Sequence, residues 1–302
     1  MYDVLIIGAG PAGITAGIFA VRRGLKTVIL SDPESASQAD EASMVDDWPG
    51  TLGIKGPELM DSFREHVKKL DVEIKQEKVN QIRKAKDGFE VTNDKFRYRA
   101  KTIIIATGSK HRKGLTNGEE KFSGKGVSYC ATCDGPLYRG KKVVVLGGGD
   151  TAVTYAILLD QIGADTTLVH RRDKLRATES WQKRIFKSKV KIIWDSVCIE
   201  IKGNEFVKSV VLENVKTKEK KEFPADGVFV SFGTVPTSEL ARDIGIKIDR
   251  NGYIKIDREQ RTSVPGVFAA GDCCNNPTKK IVTAAGDGGL AAESAYNYLQ
   301  GE

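Results

Sequence analysis

The chain is 302 residues long, with 40% hydrophobic and 29% charged residues, 31 glycines and a formal charge of +7. That length holds about two domains, each with a full core; the composition is ordinary for a soluble globular protein, and five cysteines with a single Cys-x-x-Cys spacing argue against a secreted disulfide scaffold. The positive charge lies in small dispersed groups such as Lys141-Lys142 and Lys218-Glu219-Lys220-Lys221, which predicts mild steering of anionic ligands or an acidic partner and no nucleic-acid binding.

Val4-Leu5-Ile6-Ile7 is an apolar strand entering Gly8-Ala9-Gly10-Pro11-Ala12-Gly13, with no basic leader ahead of it. A cytoplasmic protein is therefore expected, and no apolar run reaches the ~20 residues of a membrane span. In this dinucleotide fingerprint the first glycine permits a tight turn, the second lets backbone approach a pyrophosphate, and the third packs helix on strand. The phosphates then meet the helix N-terminus. The helix should end near Gly24, and the next strand, Val28-Ile29-Leu30, leads to Ser31-Asp32, where a carboxylate suits a ribose hydroxyl. Further on, Thr102-Ile103-Ile104-Ile105 ends in the small-residue turn Ala106-Thr107-Gly108, which suits a cofactor contact or an ordinary strand-end turn.

Cys130-Ala131-Thr132-Cys133-Asp134-Gly135 places two thiols three residues apart beside a carboxylate. Such a pair cycles between disulfide and dithiol without unfolding the chain, and a nearby cation or helix end can hold one sulfur as thiolate. The competing use, half of a zinc site, needs two more ligands. The remaining Cys198, Cys273, Cys274, His66, His111 and His170 show none of the close pairing of a zinc finger or ribbon, so no metal is expected.

Val143-Val144-Val145-Leu146-Gly147-Gly148-Gly149-Asp150-Thr151-Ala152 aligns without gaps on Val4 to Gly13, at an offset of 139 residues. The same offset carries Gly24 onto Gly163 and Val28-Ile29-Leu30 onto Thr167-Leu168-Val169, so two βαβ units are predicted. Ala152 takes the third glycine's place, which the fingerprint allows. Where the first copy has Ser31-Asp32, the second has His170-Arg171, followed by Arg172 and Arg176. This cationic fork suits a 2′-phosphate, so the second site should prefer NADPH to NADH. A last apolar strand, ending at Ala270, enters Gly271-Asp272, where Asp272 can accept a hydrogen bond from a polyol. The adjacent Cys273-Cys274 suits packing better than pairing.

In this order, and with Trp48-Pro49-Gly50 and Val282-Thr283-Ala284-Ala285-Gly286, these motifs resemble the low-molecular-weight thioredoxin reductases along the whole chain. The resemblance implies an α/β fold of two Rossmann-like, three-layer ββα dinucleotide-binding domains. An FAD domain is split into residues 1–113 and 244–302, and an NADPH domain of residues 114–243, carrying the Cys-x-x-Cys pair, is inserted into it. It also implies a homodimer, and hinges near 112–116 and 242–246 about which the NADPH domain rotates between turnovers. The implied activity passes electrons from NADPH through FAD and the Cys130–Cys133 dithiol to thioredoxin. Cys133 would face the flavin, Cys130 would attack the substrate disulfide, and Asp134 would protonate a departing thiolate or the flavin. FAD would fall to Gly8, Gly10, Pro11, Ala12, Gly13, Asp32, Gln38, Ala106, Thr107, Gly108, Asp272, Lys279, Lys280 and Ile281. NADPH would fall to Gly147, Gly149, Asp150, Thr151, His170, Arg171, Arg172 and Arg176.

Beside Cys273-Cys274, two further departures from the family pattern stand out. Ser35-Ala36-Ser37-Gln38 replaces a usual Gly-Gly-Gln, keeping Gln38, and Lys279-Lys280 replaces an Arg-Gln pair beside the isoalloxazine. A cation there favours anionic reduced flavin, so a raised flavin potential is expected. Another electron donor, another small disulfide protein, or an oxidase that passes electrons to oxygen would use the same site. A sensor that binds FAD and NADPH without turnover would have no use for an acid at Asp134.

Overall fold

The computed structural model describes residues 1–42, 44–113 and 115–301. Gly114, first residue of the expected NADPH domain and part of the expected hinge at 112–116, lies outside the described residues, as does Glu302. The chain forms two compact units, one of Met1–Asp40, Val45–Lys110 and Val235–Glu302, the other of Glu41–Met44 and His111–Thr234.

In the first unit Tyr2–Ile7 is a central strand, parallel to Thr27–Ser31 on one side and to Arg97–Ile105 on the other. Glu73–Gln76 extends the sheet beyond Thr27–Ser31, and Val267–Ala269 pairs with Arg97–Ile105. The early residues of Arg97–Ile105 also pair antiparallel with Gly88–Thr92, which turns back into Gln81–Ala85. Side chains alternate faces along a strand, so a sheet covered on both sides needs unbroken apolar runs. Val4, Ile6, Ile29 and Ile104 pack under the helices Pro11–Arg22, Gly56–Lys69 and Ile281–Gln300, whereas Leu5, Ile7, Val28 and Ile103 pack against Phe89 and Val91 of the antiparallel arm. Each such aliphatic, once fully buried, stabilises the fold by about 1.5–3 kcal/mol.

The second unit repeats the plan. Its parallel sheet runs in the order Lys191–Ile193, Asp165–Val169, Lys142–Leu146, Gly227–Val230, Val127–Ser128. Val143, Val145 and Phe229 face the helix Asp150–Ile162, while Val144, Leu146 and Val228 face the antiparallel strands Ser196–Gly203 and Val207–Asn214. The strand register itself repeats: Val4 lies opposite Thr27 and Val143 opposite Thr166, both pairs displaced by the 139 residues of the sequence repeat. Both units are thus Rossmann-like, a parallel sheet between helices and an antiparallel arm. No helix among the described residues is long and apolar enough to cross a membrane.

Candidate functional site

Gly8 ends the first strand with φ 111°, and a Cβ there would lie 2.2 Å from the Ala106 carbonyl oxygen, so only glycine fits. A Cβ at Gly13 would lie 1.8 Å from the Gly8 carbonyl oxygen, which lets the helix Pro11–Arg22 close on the turn. A Cβ at Gly10 would instead meet only the Ser37 side chain, at an ordinary contact distance of 3.4 Å from its hydroxyl oxygen, and the first helical turn, which starts with Pro11 and Ala12, holds no acidic residue. Open backbone N–H groups at a helix N-terminus fit a pyrophosphate.

Around this turn the fold gathers the other first-unit positions. Asp32 follows the strand Thr27–Ser31; its carboxylate accepts from the Glu34 N–H at 3.0 Å and lies 3.6 Å from Lys78 Nζ. Gln38 donates to the Ser109 carbonyl at 2.5 Å and the Ser109 hydroxyl at 2.8 Å, fastening the 35–38 loop to the chain just past Gly108. Thr107 donates its hydroxyl to the Thr237 carbonyl. Burial holds the Asp272 carboxyl above the usual carboxylate range, with nearby Asp287 adding to the effect and Lys279 opposing it. Lys279 donates to the Cys274 carbonyl and sits 4.4 Å over the Tyr253 ring, and Lys280, just ahead of Ile281, reaches Asp47 at 3.2 Å. Cys273 and Cys274 are fully buried free thiols, 3.8 Å apart.

The second turn uses its glycines differently. Gly147 has φ 151°, with a Cβ position 2.6 Å from the Ser231 carbonyl oxygen. At Gly148 a Cβ would lie 2.2 Å from Nδ1 of His170, so the imidazole fills the space beneath the turn. A Cβ at Gly149 would meet no described neighbour within 4 Å, and Gly149 caps the helix Asp150–Ile162, whose second residue is Thr151. His170 is 5% exposed, its Nε2 has no hydrogen-bond partner among the described residues, and burial lowers its pKa, so at neutral pH it is an uncharged prop. The N–H groups of Arg176 and Ala177 donate to the Gly148 carbonyl at 2.7 and 3.2 Å, and Asp150 accepts from the Thr178 N–H at 2.7 Å. These bonds bring the Arg176 loop against the turn. Arg171, Arg172 and Arg176 are exposed, and none is held in an ion pair among the described residues. An Arg176 loop bonded to the glycine turn, with Arg171 and Arg172 following His170 in the chain, fits a dinucleotide carrying an extra phosphate.

In the same unit the strand Val127–Ser128 leads to Cys130, the N-cap of a single helical turn, Ala131–Asp134. Cys130 and Cys133 form a disulfide with Cα atoms 5.4 Å apart. Cys130 is 9% exposed, Cys133 is open to solvent, and Asp134 is partly buried. The Cys133 N–H donates to Cys130 Sγ at 3.1 Å, and the Asp134 N–H to the Cys130 carbonyl at 3.1 Å. When the bond between the sulfurs opens, the Cys133 N–H favours negative charge on Cys130.

Sequence reasoning missed the polar groups around Tyr129. Glu119 is fully buried and accepts from the Tyr129 hydroxyl at 2.7 Å and from the N–H groups of Leu115 and Thr116, both at 3.1 Å. Tyr155 donates its hydroxyl to the Tyr129 carbonyl at 3.1 Å. The only local signal is that Tyr129 precedes Cys130. Asp287 was missed as well; it accepts from the Gly271 N–H at 3.2 Å and from Asn276 Nδ2 at 2.6 Å, holding the turn that carries Asp272.

A model of the pyridine nucleotide-disulphide oxidoreductase family matches residues 2–288. A 34.2 kDa protein in the rubredoxin operon of Clostridium pasteurianum is 42% identical over 99% of this chain and 98% of its own length. The thioredoxin reductase of Listeria innocua is 42% identical over 99% of this chain and 94% of its own. Among solved structures, the thioredoxin reductase of Lactococcus lactis, in its FR conformation, matches with a TM-score of 0.96 at 42% identity, covering 100% of both chains.

Proposed function

Because the chain belongs to the pyridine nucleotide-disulphide oxidoreductases, as a low-molecular-weight thioredoxin reductase, we propose that Cys130 and Cys133 are the pair through which it reduces thioredoxin. It is a flavoprotein disulfide reductase that uses FAD and NADPH. The chemistry these cofactors supply when bound is an electron pair for the disulfide.

The first unit is the FAD domain, where Gly8, Gly10, Pro11, Ala12 and Gly13 would hold the pyrophosphate and Asp32 a ribose hydroxyl. Gln38, Ala106, Thr107, Gly108, Asp272, Lys279, Lys280 and Ile281 would line the rest of that site. The second unit is the NADPH domain, where Gly147, Gly149, Asp150 and Thr151 form the phosphate turn and Arg171, Arg172 and Arg176 clasp the 2′-phosphate. His170 supports that turn from below.

When the bond between Cys130 and Cys133 opens on taking up an electron pair, the Cys133 N–H keeps Cys130 as a thiolate. Cys130 then attacks one sulfur of the substrate disulfide; a mixed disulfide forms, and the other substrate sulfur leaves and takes a proton, for which Asp134 is the donor. Cys133 next attacks Cys130 Sγ, which restores the internal disulfide and releases the second substrate thiol. We also propose that the enzyme is a cytoplasmic homodimer, and that the chain connections between its two units act as hinges that let the pair alternate between its electron source and its protein substrate.

The observation that carries this reading is the Cys130–Cys133 disulfide, whose inner sulfur accepts the Cys133 N–H in the unit that also bears the unpaired guanidinium groups. Stopped-flow absorbance of the yellow protein tests it. NADPH should bleach the flavin faster than NADH does, and added oxidised thioredoxin should restore the colour. If oxygen restores it as fast as any thioredoxin does, the oxidase reading replaces this one.

A further inference from the structure

We infer that Glu119, Tyr129 and Tyr155 are positioning residues for the reaction, a clamp that keeps Cys130 Sγ aimed at the Cys133 N–H after the disulfide has opened. Tyr129 is fixed at two points. Its hydroxyl donates to Glu119 at 2.7 Å, and its carbonyl, the acceptor in the peptide that joins it to Cys130, receives the Tyr155 hydroxyl at 3.1 Å. Lys113 Nζ lies 4.8 Å from the centre of the Tyr129 ring, which the His111 ring stacks on at 6.3 Å. One residue further, the Cys130 N–H donates to the Ser128 hydroxyl at 3.1 Å.

The need for such a clamp comes from the redox cycle. While the disulfide is closed, it holds Cys130 itself. Once the bond is broken, that restraint is gone, and the helical turn Ala131–Asp134 is only four residues long, too short to keep its own shape. The orientation of Cys130 then depends on what fixes the peptide before it. Glu119 can serve as the anchor because it is itself held: it is 0% exposed, and one of its oxygens already receives the Leu115 and Thr116 N–H groups. A buried carboxylate is tolerated only with its hydrogen bonds complete, and bonds to a charged oxygen are the stronger kind. Burial, then Glu119, raises the pKa of Tyr129, and burial, then Glu41, that of Tyr155. Both phenols therefore stay protonated donors wherever a thiolate works.

The proposal rests on the reading of Cys130 as the attacking thiolate, and the test separates the two. Full-length, FAD-loaded enzyme is reduced anaerobically with dithiothreitol, desalted and pulsed with iodoacetamide between about pH 5 and 9, with Cys130 and Cys133 alkylation quantified by peptide mass spectrometry. In the wild type Cys130 should become reactive at a lower pH than Cys133. In Tyr155→Phe, which deletes one oxygen, the Cys130 profile should move up by about one pH unit, a tenfold loss of thiolate preference of the size expected for one misaligned hydrogen bond to a charge. The Cys133 profile should stay in place. Tyr129→Phe should act in the same direction, so the test does not depend on one variant folding. A Tyr155→Phe enzyme with a lower melting temperature but an unmoved Cys130 profile would make the clamp merely structural and overturn the proposal. A wild type in which Cys130 titrates no lower than Cys133 would remove the underlying reading, and the clamp with it.

Discussion

A single methyl group at Gly148 probes the packing beneath the NADPH turn. Gly148 is not among the glycines with positive φ, so alanine meets no backbone strain there and any effect comes from contact alone. Its Cβ would lie 2.2 Å from Nδ1, 2.3 Å from Cε1 and 2.6 Å from Cγ of His170. Comfortable contact begins near ~3.5 Å, so turn or ring must give by more than ~1 Å. The ring has little freedom, being 5% exposed with the Trp194 ring edge-on at 6.4 Å. Overpacking of this kind costs about 1–3 kcal/mol. If the turn yields, NADPH binding must push it back, and Kd should rise about 5- to 150-fold. His170→Ala removes the obstacle, so Gly148→Ala/His170→Ala should bind NADPH more tightly than Gly148→Ala alone, with a coupling of about 1–3 kcal/mol. Equilibrium titration of the four proteins, following NADPH fluorescence, measures the cycle. A Gly148→Ala enzyme within twofold of wild type, or a double variant no better than the single, would refute the contact.

Two further outcomes follow from the same unit. Arg176→Ala should raise Kd for NADPH about 10- to 100-fold, the worth of a charged hydrogen bond to phosphate, while Kd for NADH stays nearly constant; equal losses in parallel titrations would contradict the 2′-phosphate assignment. His170 also predicts a pH effect, because its folded pKa is depressed, chiefly by burial. Above its unfolded value of ~6.5 the ring is neutral in both states and its contribution to stability is complete; as pH falls from there through the depressed folded value, the unfolded chain takes up the proton first and stability is lost. Melting temperature should therefore fall more steeply over that window in the wild type than in His170→Gln, and parallel curves would exclude His170 as the titrating group.

What could be read in the sequence and what could not divide along one physical line. The repeat was legible because strand register follows the chain: Val4 opposite Thr27 and Val143 opposite Thr166 keep the same spacing. The turns were legible because a φ of 111° at Gly8, or a carbonyl 1.8 Å from the Cβ position of Gly13, leaves no choice of residue. The Cys-x-x-Cys pair was legible because its geometry is local, with Cα atoms 5.4 Å apart across one turn. His170 stands at the strand end where the offset puts it, but no spacing tells that its ring turns under Gly148. Lys279 and Lys280 read as cations, but no spacing tells their partners, which the fold supplies as the Cys274 carbonyl and the Tyr253 ring for one and Asp47 for the other.

Glu119 is the clearest case of what stays hidden. It stands next to exposed Glu120 in an unremarkable polar stretch, and only the folded chain buries one and not the other. Its partner Tyr129 is 10 positions away, and Tyr155 a further 26 positions beyond Tyr129, and because the three do not share one helix or strand, no side-chain period relates them. Backbone-forced residues announce themselves by type, while side chains that act through a distant partner do not. A chain with Glu119, Tyr129 and Tyr155 replaced by apolar residues would keep every nucleotide and thiol motif in its sequence. It would lose the two hydrogen bonds that fix the peptide ahead of Cys130, and its fault would show in the titration of one sulfur before it showed in cofactor binding.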